Sequence, residues 1–457
     1  MTIDPRNRVI AYLLIFLCAV IPATAQAPAD AQIVSKINEY MDAATRIDHF
    51  SGTVLVARDG KPVVSKGYGM ANYEWSIPNA PDTVFRLGSI TKQFTSAAIM
   101  LLQERGKLNV SDPVCKYVAD CPAAWEQVTI KHLLTHTSGI PSYTAFPGFE
   151  KTALLPMKPA ELLAEYRSKP LEFAPGEKFN YSNSGYHLLG LIIEKISGQT
   201  YEDFLVENIF KPLGLNQTGY DRTNRIIKGR AAGYDRDGDS VANTTYIDMW
   251  IPYAAGSLYS TTGDLLKWEQ ALYTEKLLTR KSLDEMFTPF KGTYAYGWGV
   301  GKRFEHKSIS HGGSINGFST YLARYPDDRV TVIVLSNVQG ASTEKIASNL
   351  SAIVFGAKYE LPRERKVIML PNEVLDKYVG EYRLSPTITL TVSREGDHLM
   401  LGIVTQPKME LFAESETEFF LKAVDAGITF VKDDAGNVTQ LLLRQGSGGG
   451  TPAVKIK

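Results

Sequence analysis

The 457-residue sequence predicts an α+β fold, an antiparallel sheet flanked by helices beside a helical subdomain, followed by a C-terminal all-β barrel. Three observations predict it. Strand-like runs stand at both ends of the first 356 residues, with mostly helix and loop between them. Residues 358–371, KYELPRERKVIMLP, are charged and punctuated by proline, and read as a linker. Beyond Pro371 the texture is strand and turn, with period-2 runs such as TITLTVSREGDHLMLGI.

The elements follow in order. Residues 1–25 stand apart: Arg6 and Arg8 precede the uncharged run VIAYLLIFLCAVI, and Ala-Thr-Ala at 23–25 is a small-x-small cleavage pattern. The run is short for a membrane span, which needs about 20 apolar residues. The expectation is a cleaved signal peptide, a mature chain beginning near Gln26, export to the periplasm or medium of a bacterium, and no stable membrane span afterwards. An uncleaved anchor is the competing reading. Cys18 follows Leu17, where a lipobox wants a small residue, so a lipoprotein is disfavoured. An amphipathic helix is expected over 31–47, and a hairpin over 52–69 turning at Asp59-Gly60.

A helix opens next in FRLGSITKQFTSAAIMLLQERG (85–106), where Ile90, Phe94, Ala97, Ala98, Leu101 and Leu102 form an apolar stripe. Ser89 and Lys92 lie one turn apart and can share a face. A lysine entering an apolar surface is costly unless something there needs it. Cys115 and Cys121 are the two cysteines left after the leader; export permits a disulfide between them, free thiols being the other reading. Turn-rich helical sequence runs to about 290, and includes a helix over 261–273 with Thr262 as its cap. Glycine-punctuated strands follow, YGWGVG, STYLARYP and RVTVIVLSN, and a helix over 342–356 closes the first domain, 26–357. The β domain occupies 372–457, with the flexible stretch GSGGG at 446–450.

Composition excludes some functions. Hydrophobic residues make up 44% and charged residues 21%, so the chain can bury a large core. Lys plus Arg and Asp plus Glu are 49 each, a balance that gives nucleic acid no footing as a bulk partner.

Ser-x-x-Lys occurs twice, at Ser89/Lys92 and Ser342/Lys345. Ser342 follows a strand and precedes Glu344 in a first helical turn, a capping arrangement without chemistry. Ser89 has company: Tyr181-Ser182-Asn183 in FAPGEKFNYSNSGYHLLG, and His311-Gly312-Gly313 in KSISHGGSINGFSTYLARYP. In this order the three resemble the Ser-x-x-Lys, Tyr/Ser-x-Asn and Lys/His-x-Gly motifs of serine β-lactamases and penicillin-binding proteins. HLLTHTSGI (132–140) is similar to a segment of the branch holding class C β-lactamases, D-alanyl-D-alanine carboxypeptidases, D-aminopeptidases and esterases. The resemblance covers roughly 32–356; the C-terminal region is more loosely similar to lipocalin-like barrels appended to such hydrolases.

The resemblance implies a β-lactamase/transpeptidase-like fold and an acyl-enzyme mechanism. Ser89 attacks a carbonyl, and Lys92 and Tyr181 move its proton to the leaving group and then help activate water. Which of the two is the base stays open. Asn183 is implied to bond Lys92 and a substrate amide. By the same resemblance the backbone N–H groups of Ser89 and Ser314 would form the oxyanion hole, Ser89 gaining from a helix N-terminus. Gly312 and Gly313 admit substrate along a strand edge. His311 departs from the β-lactamase lysine, a permanent cation; a histidine is cationic only part of the time near neutral pH. Efficient β-lactam hydrolysis is thereby in doubt, while peptidase, amidase or esterase activity is open.

The implied partner is a small-molecule or peptide substrate, cell-wall-derived ones among the candidates. No metal or organic cofactor is implied. A slowly deacylating receptor and a class C-type β-lactamase are the alternatives. Two rivals lack their motifs. His132 and His136 stand at i, i+4, but HLLTH has no zincin glutamate, so packing or loop hydrogen bonding is expected. No G-x-S-x-G elbow is present.

Overall fold

The computed structural model describes residues 30–457 apart from Asp239 and residues 386–387, 404–405, 422–425 and 446–449. The expected signal peptide and the GSGGG stretch up to 449 lie outside the described residues.

The chain opens with α1 (Asp30–Ile47), then β1 (Gly52–Arg58) and β2 (Lys61–Tyr68). Asp59 and Gly60, at φ 50° and 73°, make the turn between them, as a tight hairpin demands. The helical half contains α2 (Thr91–Glu104), α3 (Asn183–Ser197) and α4 (Thr262–Ala271). The cap of α4 is Thr261 rather than Thr262: its Oγ1 accepts from the Asp264 N–H at 3.2 Å. Four strands follow, β3 (Gly299–Arg303), β4 (His306–Ile315), β5 (Phe318–Tyr325) and β6 (Val330–Ser336), then α5 (Thr343–Phe355). Ser342 stands at the N-cap of α5 but its side chain makes no capping bond.

The sheet is antiparallel throughout, in the order β3-β4-β5-β6-β1-β2. Its first and last strands therefore meet in the middle, Gly52 opposite Ser336 and Arg58 opposite Val330. Period-2 alternation feeds two cores. Val54, Val56, Val332 and Val334 face α1 and α5, against Ile37, Met41, Leu350 and Ile353. Leu55, Ala57, Ile333 and Leu335 face the helical half, against Phe94, Ala98 and Trp268. A disulfide joins Cys115 to Cys121 in the loop region after α2.

The C-terminal region is a closed eight-stranded barrel, β7 (Gly380–Ser385), β8 (Ile388–Glu395), β9 (His398–Ile403), β10 (Gln406–Ala413), β11 (Glu418–Leu421), β12 (Ala426–Lys432), β13 (Val438–Gln445) and β14 (Thr451–Lys455). Tyr382 opposite Lys455 closes it. Side chains fill the interior, as expected for eight strands: Tyr378, from a short helical turn, stacks on Phe430 at 4.3 Å. The expected linker is more engaged than its charge suggests. Tyr359 packs on the α1/α5 core, whereas Ile368 and Leu370 pack on the barrel core, and the Ile368 N–H donates to the Ala413 carbonyl at 2.9 Å. Three apolar side chains among the charges explain this.

Candidate active site

Ser89 lies not inside α2 but in the 3-10 turn Gly88–Ile90 that leads into it. No side chain caps α2, so the Ser89 hydroxyl is not spent on capping. Ser89 is half-buried, while Lys92, in the first turn of α2, is 0% exposed. Lys92 Nζ lies 3.0 Å from Ser89 Oγ, 2.9 Å from Asn183 Oδ1 and 2.8 Å from the Ala255 carbonyl oxygen. Burial holds the Lys92 ammonium well below the usual lysine range.

Tyr181 and Asn183 arrive on the loop and first residue of α3. Tyr181 lies across the lysine, whose Nζ is 4.9 Å from its ring centroid. Burial raises the Tyr181 phenol above its ordinary value, and a hydrogen bond with Ser89 offsets part of that. Asn183 is held at both ends: its N–H donates to Ser142 Oγ at 3.1 Å and its Nδ2 to Thr144 Oγ1 at 3.2 Å.

His311, Gly313 and Ser314 come on β4. The β3–β4 pairing stops at Gly299 opposite Ser310, so the outer edge of β4 from His311 onward has no strand beside it among the described residues. The inner edge pairs with β5, His311 opposite Leu322 and Ser314 opposite Ser319. Gly88, at φ 54°, brings the serine turn onto this strand; a Cβ there would meet the Ser314 nitrogen at 2.9 Å. A Cβ on Gly313 would lie 2.0 Å from the Leu87 carbonyl oxygen. Gly313 thus lets the serine turn approach the strand. Gly312 is tight in turn against Tyr321, whose ring a Cβ would meet at 3.3 Å.

Burial, and then the charge of Lys92, hold the His311 imidazole down at about 4, so the ring is neutral near neutral pH rather than partly cationic. Its Nδ1 faces the Gly312 carbonyl at 2.6 Å and its Nε2 the Tyr294 hydroxyl at 2.8 Å.

Sequence reasoning missed Tyr294, the Ser142/Thr144 clamp and the Ala255 carbonyl. His136 it placed as a packing or loop residue, and it is one, but it packs on Tyr181, ring centroids 4.1 Å apart. It lies past the helix Ile130–Leu134 at φ 55°, and its Nδ1 accepts from the Ser182 N–H at 3.1 Å. His132 instead completes a capping box with Thr129. The described residues hold no group of three or more His, Cys, Asp or Glu suited to a metal, and no helix long and apolar enough to cross a membrane.

Comparisons with known proteins fit this geometry. The β-lactamase family matches residues 35–353, and a domain of unknown function, DUF3471, matches 364–451. Penicillin-binding protein 4* of Bacillus subtilis is 33% identical over 432 residues, 87% of this chain and 94% of its own length. An octameric penicillin-binding protein homologue from Pyrococcus abyssi superposes with a TM-score of 0.66 at 28% identity, covering 92% of this chain and 100% of that one. A D-stereospecific amidohydrolase from Streptomyces sp. does so at 0.59 and 27% identity, over 72% and 100%.

Proposed function

The chain belongs to the β-lactamase and penicillin-binding protein family and is a serine hydrolase, and from that premise we propose that it is an exported enzyme that cleaves amides or esters through an acyl-enzyme on Ser89. D-amino-acid amides or peptides and small esters are the substrate classes. The leader-like residues 1–25 support export.

One observation carries the mechanism. A neutral lysine has two N–H donors and one lone pair. Two of the three partners of Lys92, the Ala255 carbonyl and Asn183 Oδ1, only accept; the third, Ser89, has a proton to give. Uncharged Lys92 fits all three with its lone pair on the Ser89 hydroxyl, and burial favours that uncharged form. Lys92 is therefore the base that takes the proton as Ser89 Oγ attacks the carbonyl carbon. Tyr181, whose burial keeps its phenol protonated, relays a proton to the leaving group. The Ser89 and Ser314 N–H groups stabilise the developing oxyanion. Water then attacks the ester, with Lys92 and Tyr181 working in the same relay.

The test is the initial rate of the mature protein and of Ser89→Ala on four substrates: a p-nitrophenyl ester, a D-alanine anilide, a D-alanyl-D-alanine peptide and a chromogenic cephalosporin. Ser89-dependent turnover of one class is expected. The similarity to penicillin-binding protein 4* favours a second reading, a slowly deacylating acceptor; acylation of Ser89 by mass without turnover would establish it. A class C-type β-lactamase is weaker, since neutral His311 offers no cation to a β-lactam carboxylate.

A further inference from the structure

Three successive residues of the tyrosine loop end on one histidine. The Asn180 N–H donates to the His136 carbonyl at 2.9 Å, the Tyr181 ring packs on the His136 ring at 4.1 Å, and the Ser182 N–H donates to His136 Nδ1 at 3.1 Å. A ring nitrogen that accepts an N–H carries no proton, so the proton of the neutral imidazole sits on Nε2. Burial first, then the charges of Lys92 and His311, oppose a second proton. Nε2 is buried with no hydrogen-bond partner among the described residues, and the rings of Tyr294 and Tyr186 lie 4.7 and 5.1 Å from the imidazole, centroid to centroid. His136 also holds a left-handed backbone, φ 55°, without being a glycine. An unpaired buried donor and a left-handed backbone each cost stability. One residue bears both costs, and three of its contacts fall on Tyr181 and the residues either side of it.

We propose that His136 is the positioning residue for Tyr181: by holding the Ser182 N–H on Nδ1 it fixes the tyrosine loop so that the phenol meets the leaving group as the acyl-enzyme forms. This rests on the hydrolase reading above, in which Tyr181 relays a proton to the leaving group. As the adduct on Ser89 collapses, the bond from the carbonyl carbon to the leaving oxygen or nitrogen breaks. That atom takes the Tyr181 proton, and Tyr181 takes the proton that Lys92 received from Ser89. A phenol misplaced by about 1 Å fails a leaving group that needs its proton, and matters far less to one that departs as a stable anion. His136 acts through Tyr181, not on the substrate.

The test uses the ethyl and p-nitrophenyl esters of one N-acyl-D-alanine on the full mature chain. Both give the same acyl-enzyme, so kcat/KM compares acylation alone, and of the two leaving groups ethoxide is the one that needs a proton. His136→Phe keeps a ring but offers the Ser182 N–H no acceptor. It should lower the ethyl to p-nitrophenyl ratio of kcat/KM by about 10²-fold, the low end of general acid catalysis. Tyr181→Phe should lower the ratio the same way, and His136→Phe added to it should lower it no further. His136→Asn, which keeps an acceptor at the δ position and suits a positive φ, should restore most of the ratio. Equal losses on both esters from His136→Phe, a further fall in the double variant, or no recovery in His136→Asn makes His136 a structural residue and overturns the proposal. Absence of Ser89-dependent turnover, or a ratio unmoved by Tyr181→Phe, counts against the hydrolase reading instead. In those cases, or where His136→Phe does not fold, nitrogen NMR of the wild type decides. An unprotonated His136 Nδ1 with scalar coupling to the Ser182 amide supports the proposal; a protonated or uncoupled Nδ1 overturns it.

Discussion

The hydrolase domain and the barrel use burial in opposite ways. Beneath Ser89 the hydrolase domain buries a lysine among neutral oxygens and packs a histidine, its pKa lowered by burial, against Tyr181; further along the same core it closes a Glu269–Arg324 ion pair at 3.0 Å. The barrel's core is built from Leu390, Val392, Leu399, Ile428, Phe430 and Leu441, and its two interior tyrosines donate their hydroxyls to backbone carbonyls, Tyr378 to Glu416 and Tyr382 to Tyr378, both at 2.7 Å. Burying a charge costs stability unless it is paired or put to use. Lys92, buried with no carboxylate among its hydrogen-bond partners, stands where the chemistry is; among the described residues the barrel core is apolar apart from its tyrosine hydroxyls.

The largest effect that can break this comparison is on turnover. Ser89→Ala and Lys92→Ala should each lower kcat/KM by about 10⁴-fold or more with the fold retained by circular dichroism. If Lys92→Ala fails to fold, the lysine is structural and the contrast is lost. In the barrel, Phe430→Ala should cost about 3–5 kcal/mol by denaturant titration, since it removes a fully packed ring, while Ser89 still acylates. Loss of acylation there would tie the two bodies into one cooperative unit.

Acid should separate them next. His187 and His311 are held down at about 3 and about 4, and His136 well below its usual value, all mainly by burial. Below the ordinary imidazole value of about 6.5 the unfolded chain takes up protons that these rings refuse when folded. Stability of the hydrolase domain should therefore fall as pH falls from about 6.5 toward 4. His187→Gln should remove one proton's share of the slope, about 1.4 kcal/mol per pH unit, in melts across that range. A slope unchanged by the substitution would show that His187 is protonated in the fold. The smallest effect is expected from deleting residues 372–457, which should leave the rate of Ser89 acylation unchanged. Acylation lost with the fold intact would make the barrel part of the site.

Much of this was legible in the sequence because the chemistry needs particular side chains at particular spacings. Ser89, Lys92, Tyr181, Asn183 and His311 announce themselves as motifs, and the strands at the two ends of the domain pair as their hydrophobic patterns require. What was illegible has no local signature. The Ala255 contribution is a backbone carbonyl, which any residue supplies. Tyr294 reaches the site only because the fold brings His311 within 2.8 Å of it. Gly313 could be seen to need a bare Cα, but not that the Leu87 carbonyl was the reason. The linker looked free because charge dominated its composition, although Ile368 and Leu370 anchor it to the barrel.

The meeting of β1 with β6 in the middle of the sheet has a consequence in time. Ser89 and Lys92 leave the ribosome early, but the strand carrying His311 and Ser314 is made roughly 220 residues later. At about 5–20 residues per second that interval lasts on the order of tens of seconds. Throughout it the nascent chain has a serine and a lysine but neither a central sheet nor an oxyanion site. Reactivity is therefore expected only with the completion of the domain, and a translation product truncated before β6 should be inert.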